Sequence, residues 1–153
     1  MKPVIVGMNN PYSVDPKYAL YPHPTGSAGH RLFEMLRAAG NRMNIKVTPL
    51  KYVDAFDRIN LLNETKWDPA KAKSLSPAVL AYLKGRTVVL CGKSSANILG
   101  MQKVDFGTTP KFDTYWDFSY YVIPHPSGLC REYNDPATVR SVGDLLLELY
   151  VRS

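Results

Sequence analysis

Three short polar clusters interrupt apolar stretches of this chain: Asn9-Asn10-Pro11-Tyr12, Asn60 with Asn63, and His125-Pro126-Ser127. Each offers a different hydrogen-bonding chemistry. A side-chain amide cannot act as a general base at neutral pH, so Asn9 or Asn10 can orient a water molecule without taking its proton. The same Asn-Asn-Pro run also makes an ordinary turn that caps a strand. Asn60, set in the apolar run Ile59-Asn60-Leu61-Leu62, carries both a donor and an acceptor and is costly to bury unless they are used. His125, held between Pro124 and Pro126, can present a ring N–H to an atom on which negative charge develops. Metal chemistry is not indicated. Cys91 and Cys130 have no CxxC spacing, and His23, His30 and His125 lack ligand spacing with carboxylates, so no metal is expected.

The elements that must position these clusters follow from periodicity. Lys2 to Met8 is a short apolar run ended by Gly7, the form of a buried first strand. Residues 9–27 hold four prolines with Asn, Asp, Ser and Gly and predict a long ordered loop. From Ala28, Leu32, Phe33, Leu36 and Ala39 fall on one helical face, with Gly40 as a stop. Ile45 to Thr48 and Arg58 to Leu62 read as strands, and residues 63–73 as a polar loop. Ser76-Pro77 predicts the start of a helix through Leu83, closed by Gly85. Arg86 to Gly92 is the clearest parallel-type strand, followed by a short helix from Ser94 to Leu99. Phe118 to Ile123 is a strand, and Asp135-Pro136 caps a last helix running to about Tyr150. Strands separated by helices predict an α/β protein, a three-layer α/β/α arrangement around a mostly parallel four-stranded sheet. In such sheets ligands bind beyond the carboxyl ends of the strands, where all three polar clusters stand.

Length and charge bound the function. A chain of 153 residues fits a single domain, here 1–153, with one core and no linker or repeat. No run of about 18 apolar residues is present, so no membrane span is expected. The start, Met1-Lys2-Pro3-Val4-Ile5-Val6-Gly7, has no signal-peptide core, and a cytoplasmic location is expected. The 19 basic and 13 acidic side chains are unevenly placed. Residues 1–53 carry seven basic and two acidic groups, residues 54–103 eight and four, and residues 104–153 four and seven. A basic surplus in the first two thirds suits a polyanionic partner.

Read together and in order, the motifs resemble the uracil-DNA glycosylase superfamily. Gly7-Met8-Asn9-Asn10-Pro11-Tyr12 is similar to its water-activating loop, and His125-Pro126-Ser127-Gly128-Leu129-Cys130-Arg131 to the loop that enters the DNA minor groove. The latter is closest to the mismatch-specific uracil and thymine branch. Ile59-Asn60-Leu61-Leu62 resembles the strand whose Asn reads the uracil edge. Gly26-Ser27-Ala28-Gly29-His30-Arg31-Leu32 and Val88-Val89-Leu90-Cys91-Gly92-Lys93 resemble segments of the iron–sulfur members, although two cysteines cannot hold their cluster.

The resemblance implies a monomeric DNA glycosylase that flips uracil or a mismatched pyrimidine out of DNA and hydrolyses its bond to the sugar without a cofactor. In that reading Asn9 or Asn10 orients water. Aligned from Gly7 the position is Asn9, and aligned from Pro11-Tyr12 it is Asn10, because the loop is one residue longer than the family patterns. His125 stabilises the departing base at O2, and Asn60 reads O4 and N3–H. Gly7 and Met8 border the base, and Tyr12 stands where a Tyr excludes the thymine methyl. The stacking aromatic falls near Pro24, so Tyr21 or His23 takes that place. Leu129 is the wedge that fills the gap left by the flipped nucleotide. Arg131, with Lys93, His30 and Arg31, contacts phosphate or the orphan base, and Ser127, Gly128 and Ser94 or Ser95 border the phosphates. Two rival readings are a protein of the same fold that grips DNA or a base without cleaving it, and an enzyme acting on a free nucleoside or nucleotide.

Overall fold

The computed structural model describes residues 1–101 and 104–153. Its elements in chain order are β1 (Val4–Gly7), α1 (Ala28–Arg42), α2 (Pro49–Ala55), β2 (Asp57–Asn60), α3 (Pro69–Leu83), β3 (Thr87–Cys91), α4 (Lys93–Ile98), β4 (Lys111–Asp113), β5 (Phe118–Ile123) and α5 (Pro136–Arg152). The strands form one sheet in the order β2-β1-β3-β5-β4, parallel except for the antiparallel pair β4 and β5. The chain is therefore α/β with a five-stranded, mostly parallel sheet.

Successive strand residues point to opposite faces, and here both faces are apolar because both are covered. Ile5, Val89, Tyr121 and Ile123 pack with Leu32 and Leu36 of α1, Tyr52 of α2 and Leu145 of α5. Val4, Val6, Val88 and Val122 pack on the other side with Leu80 and Leu83 of α3 and Ala96 of α4. This is compatible with the expected three layers. α1 and α5 cross closely at Gly143, where a β-carbon would lie 2.6 Å from the Met35 carbonyl oxygen.

Four expectations are corrected. The fifth strand, β4, is a three-residue antiparallel edge that carries the exposed Phe112 and has no apolar period to announce it. Ile45 to Thr48 is not a strand. Ile45 N–H donates to the Gly40 carbonyl, finishing α1, while the Thr48 hydroxyl accepts from Lys51 N–H and caps α2 with Pro49 in its first turn. Ser76-Pro77 does not begin a helix. α3 starts at Pro69 with Asp68 as its cap, and Pro77 lies inside it. Proline removes the N–H that would bond the Lys73 carbonyl, and the Ser76 hydroxyl donates to that carbonyl instead at 2.7 Å. The long loop, finally, contains a short 3-10 turn, Pro16–Tyr18, capped by Asp15.

Chain order along the sheet reverses between β1 and β3, since β2 lies on one side of β1 and β3 on the other. Ligands of open α/β sheets sit outside the carboxyl ends at such a point. No helix among the described residues is long and apolar enough to cross a membrane.

Candidate functional site

A cavity of about 550 Å³ opens at that edge. It is lined by Asn9 to Ser13 and Tyr18 to His23 of the first loop, the start of α1, and His125, Ser127 and Gly128 beyond β5, with Ala19 and Pro22 absent from its wall. The structure therefore brings Asn9, Asn10, Tyr12, Tyr21, His23, His125, Ser127 and Gly128 together on one surface. No Asp or Glu lines it among the described residues.

The two asparagines, equivalent in sequence, have different partners. Asn9 Nδ2 donates to the carbonyls of Glu64 at 3.1 Å and Thr65 at 2.9 Å. Both its amide hydrogens are thereby directed at the β2–α3 loop, leaving Oδ1 as its acceptor for another group. Asn10 is engaged within its own loop. Its Nδ2 donates to the Tyr18 carbonyl at 3.1 Å, and its Oδ1 accepts from Tyr12 N–H at 2.9 Å. That is the turn-forming use of an Asn.

The first loop is seated by residues whose roles sequence reading missed. The Tyr52 hydroxyl donates to the Leu20 carbonyl at 2.7 Å, and an Arg58 guanidinium N–H donates to the Ala19 carbonyl at 2.9 Å. Burial pushes the Tyr52 phenol well above its ordinary pKa, so it stays a donor. Gly29, in the first turn of α1, lies against the Leu20 and Tyr21 carbonyls. Tyr52 and Arg58 carried no signal, since an amphipathic position or a strand residue gives no hint of a partner 32 or 39 residues away.

Above the loop, Tyr18 and Tyr21 meet edge to face with ring centres 5.2 Å apart, and Tyr21 and His23 lie 6.0 Å apart. These rings form an aromatic wall, and Tyr12 at the rim is 63% exposed.

His125 extends from the end of β5. Its backbone lies close to Gly92, whose φ is 93° and whose hydrogen leaves the histidine 3.2 Å from where a β-carbon would be. Burial disfavours the imidazolium and holds the ring below its ordinary pKa, so His125 is neutral at pH 7 and can donate one N–H. The loop is pinned by the Tyr133 hydroxyl, which donates to the Pro124 carbonyl, and by Ser127 N–H donating to the His125 carbonyl at 2.8 Å.

Asn60 pairs in register with Gly7 and is buried, 7% exposed, yet does not line the cavity. Its Oδ1 has no hydrogen-bond partner among the described residues, which costs about 1–3 kcal/mol for a buried acceptor. Gly7 is buried beside it and Met8 is half-buried. Leu20, a residue not singled out in the sequence, packs on Gly7 and does line the cavity.

Of the residues expected to meet DNA, Leu129, the expected wedge, stands at the loop tip, 94% exposed, with Gly128 and Arg131 exposed on either side. An Arg31 guanidinium nitrogen is 2.9 Å from where a Gly128 β-carbon would be, so Arg31 reaches this loop. Lys93 and Ser94 are exposed, and the Lys93 ammonium lies 4.7 Å from the Phe106 ring centre. His30 accepts Gly26 N–H at Nδ1 and faces Glu34, so it is tied to its own helix turn. Ser95 is a correction. It is fully buried and its hydroxyl donates to the Cys91 carbonyl at 2.9 Å, which leaves only Ser94 accessible. No group of three or more His, Cys, Asp or Glu side chains that could hold a metal occurs among the described residues.

Fold and site together define an α/β protein with a hydrogen-bonding cavity at the carboxyl edge of a mostly parallel sheet. No protein-family model and no curated protein matches the chain.

Proposed function

We propose that this protein is a monofunctional DNA glycosylase of the uracil-DNA glycosylase type, with a fold of that family, that flips uracil or a mismatched pyrimidine from DNA and hydrolyses its N-glycosidic bond. The observation that carries the reading is the meeting of Asn9 and His125 on one cavity beside a loop tipped by an exposed leucine. Cleavage develops positive charge on the deoxyribose and negative charge on the departing base. Asn9, its amide held by two carbonyls, directs Oδ1 at a water that attacks the sugar carbon as the bond to the base breaks, and the proton the water loses passes to solvent. Neutral His125 donates to O2 of the leaving base. Leu129 fills the space in the stack while Arg31, Lys93 and Arg131 meet phosphate, and the protein works as a monomer without cofactor.

The Asn9 amide has a local reason. A carboxylate in its place would set an anionic oxygen against the Glu64 and Thr65 carbonyls, where the amide donates. Asn9→Ala is expected to lower the excision rate about 10²-fold through lost positioning. Asn10→Ala, which loosens an exposed turn, is expected to lower it less than about tenfold. Single-turnover rates of the two variants check the assignment, and the reverse order would move the water to Asn10.

A second reading, a DNA- or base-binding protein without cleavage, draws on the absence of a carboxylate from the cavity wall among the described residues and on the covering of Gly7 by Leu20. One experiment separates them. A labelled duplex with one uracil opposite guanine is incubated with the protein and abasic sites are opened with alkali. Strand scission is the expected result. Salt-dependent binding without scission at excess protein would instead establish the second reading.

A further inference from the structure

We infer that Leu20 is a plug: its side chain fills the subsite in front of Gly7 and Asn60, and a ligand ring reaches Asn60 only when that side chain turns aside. The choice of ligand, a planar ring with adjacent N–H and C=O groups, rests on the base-binding reading of the cavity. The plug itself rests on geometry.

Leu20 has φ 49°, a left-handed conformation that a leucine adopts only when its surroundings impose it. They do so on three sides. Tyr52 bonds its carbonyl, Arg58 bonds the preceding carbonyl, and Gly29 lies against its peptide. With the backbone so held, the side chain is aimed at β1. Leu20 Cδ2 lies 3.0 Å, and Asn60 Oδ1 2.5 Å, from the same point above Gly7, the place a β-carbon would take. An aliphatic group thus lies next to a buried acceptor that has no partner. Leucine cannot satisfy it, whereas a ring N–H can, and the amide nitrogen of the same side chain suits the neighbouring C=O. Since the backbone is fixed, opening requires only a rotation of the isobutyl group into the cavity of about 550 Å³, with the loop left in place.

The test measures binding of free uracil, with cytosine as the control, by titration calorimetry on the full chain. Leu20→Gly suits the positive φ and removes the plug. It is expected to tighten uracil binding about tenfold relative to the wild type, as for an open state populated about one-tenth of the time. Cytosine, which presents an acceptor where uracil presents N–H, gains nothing. The gain is lost when Asn60→Ala is added. Leu20→Ala, which keeps the β-carbon, is read the same way where Leu20→Gly does not fold by circular dichroism. Unchanged uracil affinity in the folded variant, undetectable binding by every variant, or a gain that survives Asn60→Ala overturns the plug. Cleavage plays no part in this readout, so a wild type that fails to cut uracil-containing DNA would defeat the glycosylase reading and leave the plug to be judged on binding alone.

Discussion

Replacing His125 with alanine is expected to slow uracil release about 10²–10³-fold, the loss that follows removal of one donor to a developing oxyanion. The ring is suited to that task because it is neutral. Burial disfavours its charged form and lowers its pKa from the ordinary 6.5. The Tyr133 and Ser127 contacts hold the loop on which it sits, so the N–H need not be reorganised during reaction. Single-turnover excision by His125→Ala, with thermal denaturation to verify folding, checks the claim. A folded variant that retains the wild-type rate would remove His125 from the chemistry.

The same residue makes a stability prediction with a definite sign. On acidification through pH 6.5 the unfolded chain takes up a proton at this position before the folded protein does. The unfolded state then binds more protons, so stability is full above 6.5 and falls as the pH drops from there toward the lower, folded-state pKa. His125→Gln has no ring to titrate. Its Tm is expected to drop less than that of the wild type between about pH 7.5 and about pH 5.5. An equal drop would show that other groups set the acid response.

Gly29→Ala is expected to be the most damaging single change outside the cavity wall. Its new β-carbon would overlap the carbonyl groups of Leu20 and Tyr21, backbone atoms that cannot rotate away. Either α1 or the loop must shift. Overpacking of this kind costs about 1–3 kcal/mol. For a domain of this size that lowers Tm by about 2–4 °C per kcal/mol. Displacement of the loop also moves Tyr21 and Leu20 in the cavity, so excision is expected to fall by about 10²-fold or more. Gly26→Ala is the informative control, because at φ 86° it carries backbone strain but meets nothing within 4 Å. If Gly29→Ala matches the wild type in Tm and rate, the seat of the loop on α1 is not what holds the cavity.

Much of the architecture is legible in the sequence because its signals are local. The apolar run to Gly7, the Arg86 to Gly92 strand, the Leu32, Phe33 and Leu36 face and the Asp135-Pro136 cap each announce an element from within its own span. Where the signal is local but ambiguous, reading fails. Thr48 ends the run that reads as a strand and is a helix cap, and Ser76-Pro77 reads as a helix start because the Ser76 bond that rescues Lys73 cannot be foreseen from residue type. β4 exists because β5 offers it an edge, and Lys-Phe-Asp alone carries no such information.

The site divides in the same way. Residue types and chain order determined that amides and an imidazole lie at or beyond strand ends, since a strand's carboxyl end is where its following loop begins. Only the tertiary structure decided what each of them does there. Asn9 and Asn10 are adjacent and chemically identical, and they differ because one faces the Glu64 and Thr65 carbonyls while the other closes its own turn. Ser94 and Ser95 differ because one turn of α4 buries the second. Asn60 is behind Leu20 because Tyr52, Arg58 and Gly29, distant in sequence, converge on one stretch of loop. Donors, acceptors and steric limits act through space at a few ångströms, and which groups come that close is set by the sheet order and not by the spacing of residues along the chain.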